Sequence, residues 1–282
     1  MDHDGNAMIA AEPGAQGTPF GYRRVMIATW DGRLPLALID YATASIDPAA
    51  VFLMVAVVAP GQDGQSDADA RARCQATNML QAAQTLLAAR GRNASTELLK
   101  LSHAHASSGW LLADTAARWG ADVVLTSCAG PAHLARAAHC PVLMLPDESV
   151  ALHRRVPAER IFVASDESDA SRDALDEARR LAGRHAQLRI ARVVFGGPAA
   201  VAAQSFEPVL LPAGGHGRSL AREIVDAALA WRADLLVLGT HAGESSGKWR
   251  FASLAEQVAE VAGLPLLLVP LGGTAWRSGE LA

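Results

Sequence analysis

Three pairs of similar segments occur in the same order along the two halves of this chain, and this repeat limits the fold more than any other feature. The pairs are VMIATWDG (25–32) with RIFVASDES (160–168), RWGADVVLTS (118–127) with AWRADLLVLGT (230–240), and CPVLMLP (140–146) with LPLLLVP (264–270). An ordered series of matches indicates a structural unit that occurs twice. The sequence therefore predicts two related domains, at residues 22–148 and 158–271, after a disordered tail at 1–21.

Each repeat alternates short apolar runs with segments typical of helices. Leucine-rich or β-branched runs separated by helices predict parallel strands that are covered on both faces. We expect strands at 25–30, 51–58, 96–101, 123–126 and 142–145 in the first repeat, and at 161–165, 188–195, 209–211, 235–238 and 266–269 in the second. The predicted fold class is α/β, with two doubly wound domains that each contain a parallel five-stranded sheet and bind ligands beyond the carboxyl ends of the strands.

The composition narrows the class of protein. Half of the 282 residues are apolar, which suffices for a packed core, and the formal net charge of −4 gives no indication of a nucleic-acid partner. No Cys-x-x-Cys pair occurs, and the spacing of Cys128, His133 and His139 matches no common zinc pattern, so we expect no metal. The N-terminus does not resemble a signal peptide, and no apolar run approaches the ~20 residues that cross a bilayer. We therefore expect a cytoplasmic protein without a membrane partner.

The ends of the predicted strands resemble those of tandem universal stress proteins. The first strand of each repeat ends in an aspartate, Asp31 in IATWDG and Asp166 in VASDES. In the second repeat the fourth strand reads ADLLVLGTHAG and the last reads LPLLLVP. The resemblance implies an adenine nucleotide alpha-hydrolase-like fold, and two domains that pack as an intrachain pseudo-dimer through their last strands. It also implies binding of ATP or another adenine nucleotide, which many members of the family show.

A glycine pattern follows the fourth strand in the nucleotide-binding members of this family: Gly, two residues, Gly, nine residues, then Gly-Ser or Gly-Thr. Here Gly239 takes the first position, Ala242 the second, and Ala252 with Ser253 the final pair. Glycine suits such loops because it lets backbone N–H groups approach phosphate oxygens and adopts positive φ angles. Since alanine replaces two of these glycines, the resemblance implies a degraded phosphate loop, with Gly243 as a displaced glycine.

The resemblance places the nucleotide site in the second repeat only. Its phosphate-binding residues would be Gly239, Thr240, Ala242, Gly243, Ala252 and Ser253, and its nucleoside would lie beside Ser165, Asp166 and the strand end near Val194. The first repeat has no room for such a loop between its last two strands. The second repeat has GGPAAVAAQSFEP (196–208) where the first has a long alanine-rich helix, so each repeat is expected to lack a different element.

The same residues permit other interpretations. GESSGKW (243–249) resembles a Walker A motif, but Ala242 stands at its first glycine position and Trp249 at its Ser or Thr position. Asp166 has a structural alternative, as the N-cap of a helix that begins near Asp169. No histidine is placed by the sequence to activate Ser165, so no catalytic residue is predicted.

Three hypotheses for function follow from the sequence. The first is a non-catalytic, stress-associated sensor or binding protein with at most one degraded ATP site. The second is a nucleotide-independent protein-interaction module, in which the paired domains, a homodimer or an unidentified protein partner provide the working surface. The third is a weak ATPase.

Overall fold

A computed structural model gives the fold. It describes residues 20–30, 32–59, 66–101, 107–127, 134–146, 157–182, 186–194, 209–212, 219–240 and 251–272. Most of the predicted tail (1–21), Asp31 and the segment 195–208 lie outside these residues. The prediction that the second repeat lacks a helix after its second strand falls on that last segment and stays a prediction.

Strands and helices alternate along the described chain. In chain order they are β1 (Arg24–Thr29), α1 (Leu36–Ser45), β2 (Val51–Val58), α2 (Ser66–Ala89), β3 (Asn93–Lys100), α3 (Ser108–Trp119), β4 (Val123–Ser127), α4 (Leu134–Ala137), β5 (Val142–Leu145), β6 (Arg160–Ser165), α5 (Asp169–Ala182), β7 (Gln187–Val194), β8 (Val209–Pro212), α6 (Leu220–Ala230), β9 (Leu235–Thr240), α7 (Phe251–Val261) and β10 (Leu266–Pro270). Each strand overlaps a predicted one, and the long alanine-rich helix of the first repeat is α2.

The ten strands form one sheet in the order β3-β2-β1-β4-β5-β10-β9-β6-β7-β8. Both halves therefore use the same order, with the third strand outermost and the fifth innermost. Neighbouring strands are parallel within each half, whereas β5 and β10 are antiparallel, with Leu267 opposite Leu143. The predicted α/β class is confirmed, but the two five-stranded sheets are continuous. An apolar terminal strand must be paired or covered, and these two cover each other.

Two hydrophobic clusters fill the spaces between the sheet and the helices. One packs under α3, α4, α6 and α7, and the other under α1, α2 and α5. Successive residues of a strand pack into opposite clusters: Met26 belongs to the first cluster, and Val25 and Ile27 belong to the second. Both faces of the central strands are therefore buried, which explains why their sequences are continuous apolar runs.

An aspartate ties the first strand to the fourth strand in each half. Asp122 Oδ2 accepts hydrogen bonds from two successive backbone N–H groups at the start of β1, at 2.7 and 2.9 Å. Asp234 Oδ2 makes the equivalent pair at the start of β6, at 3.1 and 2.9 Å. Both aspartates immediately precede the fourth strand of their half, so the two halves share this contact as well as their strand order.

An arginine–tryptophan pair occurs at the same place in both halves. The guanidinium carbon of Arg24 lies 4.5 Å from the ring centroid of Trp119, and that of Arg160 lies 5.8 Å from the ring of Trp231. Each arginine also donates a hydrogen bond to the carbonyl oxygen of its tryptophan. The amino edge of the sheet is thus built from the same parts twice.

A buried polar cluster connects the segment before β1 to α5 of the second half. Tyr22 Oη donates to Glu177 Oε1 at 2.6 Å, and Arg180 Nε donates to Glu177 Oε2 at 2.8 Å. The Arg180 guanidinium also lies 4.7 Å from the Tyr22 ring centroid. Burial alone would lower the pKa of Arg180. Its hydrogen bond to Glu177, together with smaller contributions from the charges of Tyr22 and Glu177, raises this pKa above the usual value. The cluster therefore holds a paired charge between the halves.

Candidate functional site

The turn from β6 into α5 carries the predicted nucleoside-binding residues at the carboxyl edge of the sheet. Asp166 Oδ1 accepts hydrogen bonds from Ser168 N at 3.2 Å and from Ser168 Oγ at 2.6 Å. Ser168 Oγ in turn accepts from Ser171 N at 3.2 Å, which is the geometry of an N-cap. The capping side chain is therefore Ser168 rather than Asp166, and Asp166 holds that cap in place.

Ser165 completes this hydrogen-bonded turn. Its Oγ accepts from Glu167 N at 3.2 Å and donates to Ser171 Oγ at 3.1 Å. The Ser171 hydroxyl donates to Ser168 O at 2.9 Å, so the hydroxyls of all three serines are engaged. Asp166 differs, because its Oδ2 makes no hydrogen bond within the described part of the chain. One carboxylate oxygen of this half-buried residue is thus available to a ligand.

An ion pair that the sequence did not predict stands beside this turn. Arg192 on β7 lies opposite Ser165 in the parallel register, and its Nη2 is 2.6 Å from Glu167 Oε2. Glu167 has a φ of 66°, a left-handed conformation that is uncommon for a residue other than glycine. The arginine in ARVV, near the carboxyl end of the strand, was the sequence signal for it.

Gly239 lies against the first turn of α5. A Cβ atom there would lie 2.2 Å from Ala170 O, 2.4 Å from Ala170 C and 2.8 Å from Ser171 N. The absence of a side chain therefore lets the helix backbone approach β9. The structure gives this glycine a packing role, and its predicted contact with phosphate stays a prediction.

Thr240 is buried at the end of β9. Its hydroxyl lies 3.4 Å from Ala135 O in α4 and 3.4 Å from Val269 O in β10. The hydroxyl is therefore used inside the protein, where it joins β9 to the first half. A phosphate role for Thr240 would have to come from its backbone.

The remaining predicted residues are described in part or not at all. Val194 is the last residue of β7, beside Pro212 in the register with β8. Ala252 and Ser253 lie in the first turn of α7, where only the backbone is described. Ala242 and Gly243 lie outside the described residues. The structure thus brings Ser165, Asp166 and Gly239 to one sheet edge around the start of α5.

Within the described ranges, no group of three His, Cys, Asp or Glu side chains is placed to hold a metal ion. Among those same residues, no helix combines the length and apolar character that a membrane span requires.

Comparison with known proteins gives one family and several similar structures. Residues 201–270 match the model of the universal stress protein family, while no curated protein matches the chain. A universal stress protein from Archaeoglobus fulgidus DSM 4304 superposes with a TM-score of 0.68 at 13% identity, covering 90% of this chain and 98% of its own. A putative universal stress protein from Pseudomonas aeruginosa UCBPP-PA14 gives 0.57 at 16% identity, with 88% and 93% coverage.

A third structure, described as a functionally unknown protein from Pseudomonas aeruginosa PAO1, gives a TM-score of 0.58 at 16% identity, covering 92% of this chain and 96% of its own. Identities this low show a common fold. The family match covers β8, α6, β9, α7 and β10. It therefore includes the fourth strand of the second half and the helix after it, between which the predicted glycine pattern lies. Residues 201–270 are therefore similar to the universal stress protein family, and the chain has, along most of its length, the fold of solved universal stress proteins.

Proposed function

We propose that this chain is a tandem universal stress protein that binds an adenine nucleotide weakly in its second half and does not turn it over. The observation that carries the proposal is the Oδ2 atom of Asp166, which accepts no hydrogen bond from the described residues and lies beyond the carboxyl end of β6, between β7 and β9. In open α/β sheets this edge is where ligands bind. The proposal includes a cytoplasmic location and an unidentified protein partner that responds to the bound state.

The contacts shared by the two halves support the tandem organisation. Both halves use one strand order, and Asp122 and Asp234 accept the same pair of backbone hydrogen bonds. The Arg24–Trp119 pair likewise has its equivalent in the second half. A duplicated unit accounts for these coincidences together, whereas separate origins would require each to arise independently.

The position of Asp166 supports the nucleoside part of the site. Oδ1 is fixed by two hydrogen bonds from Ser168, which orients the carboxylate, and Oδ2 is left as an acceptor. A ribose hydroxyl is a suitable donor, because hydrogen bonds to an ionised acceptor are stronger than neutral ones. The adjacent Glu167–Arg192 ion pair adds a guanidinium at the same edge, within reach of the strand end near Val194.

The phosphate part rests on the start of α7. This helix begins at Phe251, directly after the segment that takes the family's glycine pattern, and a helix N-terminus favours anions through its free N–H groups and its dipole. Alanine at 242 and 252 replaces two glycines of the pattern. We therefore expect affinity in the high micromolar to millimolar range, held by Gly239, Thr240, Gly243 and Ser253 largely through backbone groups.

Hydrolysis has little support in this arrangement. The hydroxyls of Ser165, Ser168 and Ser171 are committed to one another and to the turn. A serine nucleophile needs a base that takes its proton, and none of these three hydrogen-bonds to a histidine in the described residues. A binding or sensing role is therefore favoured over a weak ATPase.

Calorimetric titration of the full chain with ATP and ADP tests the proposal. Asp166→Asn is the informative variant, because asparagine keeps an oxygen for the Ser168 hydrogen bonds and loses the charge. We expect it to weaken binding about tenfold, the usual cost of a charge-assisted hydrogen bond. Asp31→Asn, at the equivalent place in the first repeat, is the matched control and should leave affinity unchanged.

Other outcomes would refute the proposal. If neither calorimetry nor thermal shift detects ATP or ADP at millimolar concentration, the nucleotide site does not exist. Equal losses from Asp166→Asn and Asp31→Asn would place the ligand elsewhere. Phosphate release that Asp166→Asn abolishes would show that the protein is an ATPase.

A second candidate function is a protein-interaction module without nucleotide. It is favoured by Gly239 and Thr240, because both are engaged in packing, against Ala170 and Ala135 respectively. On this view the predicted loop lost its ligand while its anchoring residues were kept for stability. Absence of nucleotide binding, together with a partner retained after exhaustive dialysis, would select this function; sedimentation would show whether that partner is a second copy.

A further inference from the structure

A basic pocket lies at the amino edge of the sheet, on the side opposite the proposed nucleotide site. It has a volume of about 490 Å³ and opens to solvent. Its lining consists of three arginines, one tryptophan and two alanines: Arg160, Arg189, Arg232, Trp231, Ala227 and Ala230. The pocket lies where β6 and β7 begin and where α6 ends.

In the described part of the chain, two of these arginines contact an aromatic ring, and one of the two also contacts a backbone carbonyl. The guanidinium carbons of Arg160 and Arg189 each lie 5.8 Å from the ring centroid of Trp231, and Arg160 Nη1 donates to Trp231 O at 3.2 Å. Within the described ranges, none of the three forms an ion pair with a carboxylate. Unneutralised like charges that line a concave surface raise the local concentration of anions.

Arg232 occupies a backbone position that suits glycine. It follows Trp231 with a φ of 58°, in the left-handed region. The equivalent residue of the first half, which follows Trp119 and likewise precedes an Ala-Asp pair, is Gly120, with a φ of 72°. Glycine adopts this conformation freely and arginine does so at a cost. The second half thus has an arginine at a backbone conformation that favours glycine.

Arg189 also departs from the first half. It lies opposite the third residue of β6, and the residue opposite the third residue of β1 is Leu53. Leu53 is buried in the core, with 3% of its surface exposed. The second half therefore keeps the arginine–tryptophan pair and adds two guanidinium groups, in place of a core leucine and a turn glycine.

We propose that this pocket binds a small ligand through a diphosphate group. Guanidinium groups present planar pairs of N–H donors that match phosphate oxygens, and arginine is the preferred residue for such recognition. Three of them around a pocket of this size suit two adjacent phosphates on a ligand of nucleotide size or smaller. The diphosphate comes either from inorganic pyrophosphate or from a nucleoside diphosphate, which share this chemistry.

Calorimetric titration of the full chain with sodium pyrophosphate tests the assignment. Arg189→Leu and Arg232→Gly each restore the first-half residue, so both variants are expected to fold, which thermal unfolding checks. We expect each to weaken pyrophosphate binding about tenfold, as for loss of a charge-assisted hydrogen bond. Arg172→Gln, at a well-exposed arginine of α5, is the matched charge control and should change affinity less than about twofold.

Parallel titrations with ADP separate the two sources of the diphosphate. If Arg189→Leu weakens the binding of ADP, the ligand of this pocket is a nucleoside diphosphate; Asp166→Asn, at the other edge of the sheet, serves as an independent variant. If Arg189→Leu weakens the binding of pyrophosphate but not of ADP, the ligand is the inorganic anion. The proposal is overturned if neither pyrophosphate nor ADP binds at millimolar concentration, if both reversions bind these ligands like the wild type, or if Arg172→Gln loses as much affinity as the reversions do. Because Asp166→Asn does not touch this pocket, failure of the nucleotide proposal would leave this result unaffected.

Discussion

Replacing Gly239 with alanine places a methyl group where the structure has no space for one. The added Cβ would lie 2.2 Å from the carbonyl oxygen and 2.4 Å from the carbonyl carbon of Ala170. Carbon and oxygen atoms in favourable contact are about 3.3 Å apart or more, so α5 and β9 must separate by about 1 Å. The obstructing atoms belong to the helix backbone, and no change of rotamer can relieve the overlap.

The expected cost follows from this geometry. Overpacking a rigid site typically costs about 1–3 kcal/mol, and the upper end applies because α5 also packs on β6 and β10. A loss of about 3 kcal/mol corresponds to a decrease in Tm of roughly 6–12 °C for a chain of this size. Ser168 and Asp166 lie at the start of α5, so the same substitution should also weaken the binding of any ligand at this turn.

Thermal and urea unfolding, followed by circular dichroism, measure the effect. Gly263→Ala is the matched control, because a Cβ at Gly263 would meet nothing within 4 Å. We expect that control to stay within about 0.5 kcal/mol of the wild type. If Gly239→Ala is as stable as Gly263→Ala, the packing explanation is wrong, and the loop role predicted from the sequence would be the better account of this glycine.

Three further substitutions test other parts of the fold. Tyr22→Phe removes the hydrogen bond to buried Glu177 and should lower the free energy of unfolding by about 1.5–3 kcal/mol, measured by urea titration; a neutral result would contradict the cross-half role of the cluster. Burial, with a smaller effect from Asp234, raises the pKa of Tyr41 above its usual value of about 10. The unfolded state therefore ionises first, and native stability is lost as pH rises above about 10; Tyr41→Phe should lose less stability between pH 8 and about pH 11, and an unchanged alkaline decrease would disprove this. Glu167→Gly relieves a left-handed φ of 66° and should raise the free energy of unfolding by up to about 1 kcal/mol in urea titration. A lower free energy of unfolding would contradict this and show that the ion pair with Arg192 outweighs the backbone strain.

The strands were predictable where burial alone defines them. The predicted bounds of the second strand, 51–58, and of the fifth, 142–145, agree with β2 and β5, because these are apolar runs buried in the sheet. The third strand was predicted to begin at Thr96, but β3 begins at Asn93. This edge strand is paired on one side to β2, and its polar first residues are fixed by that register rather than by burial.

The candidate site was predictable in position and less so in detail. A residue that follows the first parallel strand must lie at the ligand edge, and Asp166 of VASDES lies there; its contact with a nucleoside was implied by the family resemblance and stays a prediction. The cap at Ser168 and the ion pair of Arg192 depend on side-chain directions that one sequence does not specify. Gly239 was assigned to the loop because of its residue type, whereas its place in β9 follows from pairing with Val269 and from the approach of α5.

The two halves differ most informatively at two left-handed backbone positions. The residue that follows the motif aspartate in sequence is Gly32 in the first half, with a φ of 66°, and Glu167 in the second half, with the same φ. After the tryptophan that ends the helix before the fourth strand, Gly120 in the first half corresponds to Arg232 in the second. Each non-glycine residue costs on the order of 1 kcal/mol. Glu167 lies at the carboxyl edge of the second half of the sheet, and Arg232 lies at its amino edge. Neither side chain is needed for its turn, because glycine forms the equivalent turn in the first half. Strain of this kind persists where it serves a site, so both binding sites are expected in the second half, with the first half acting as its folded partner.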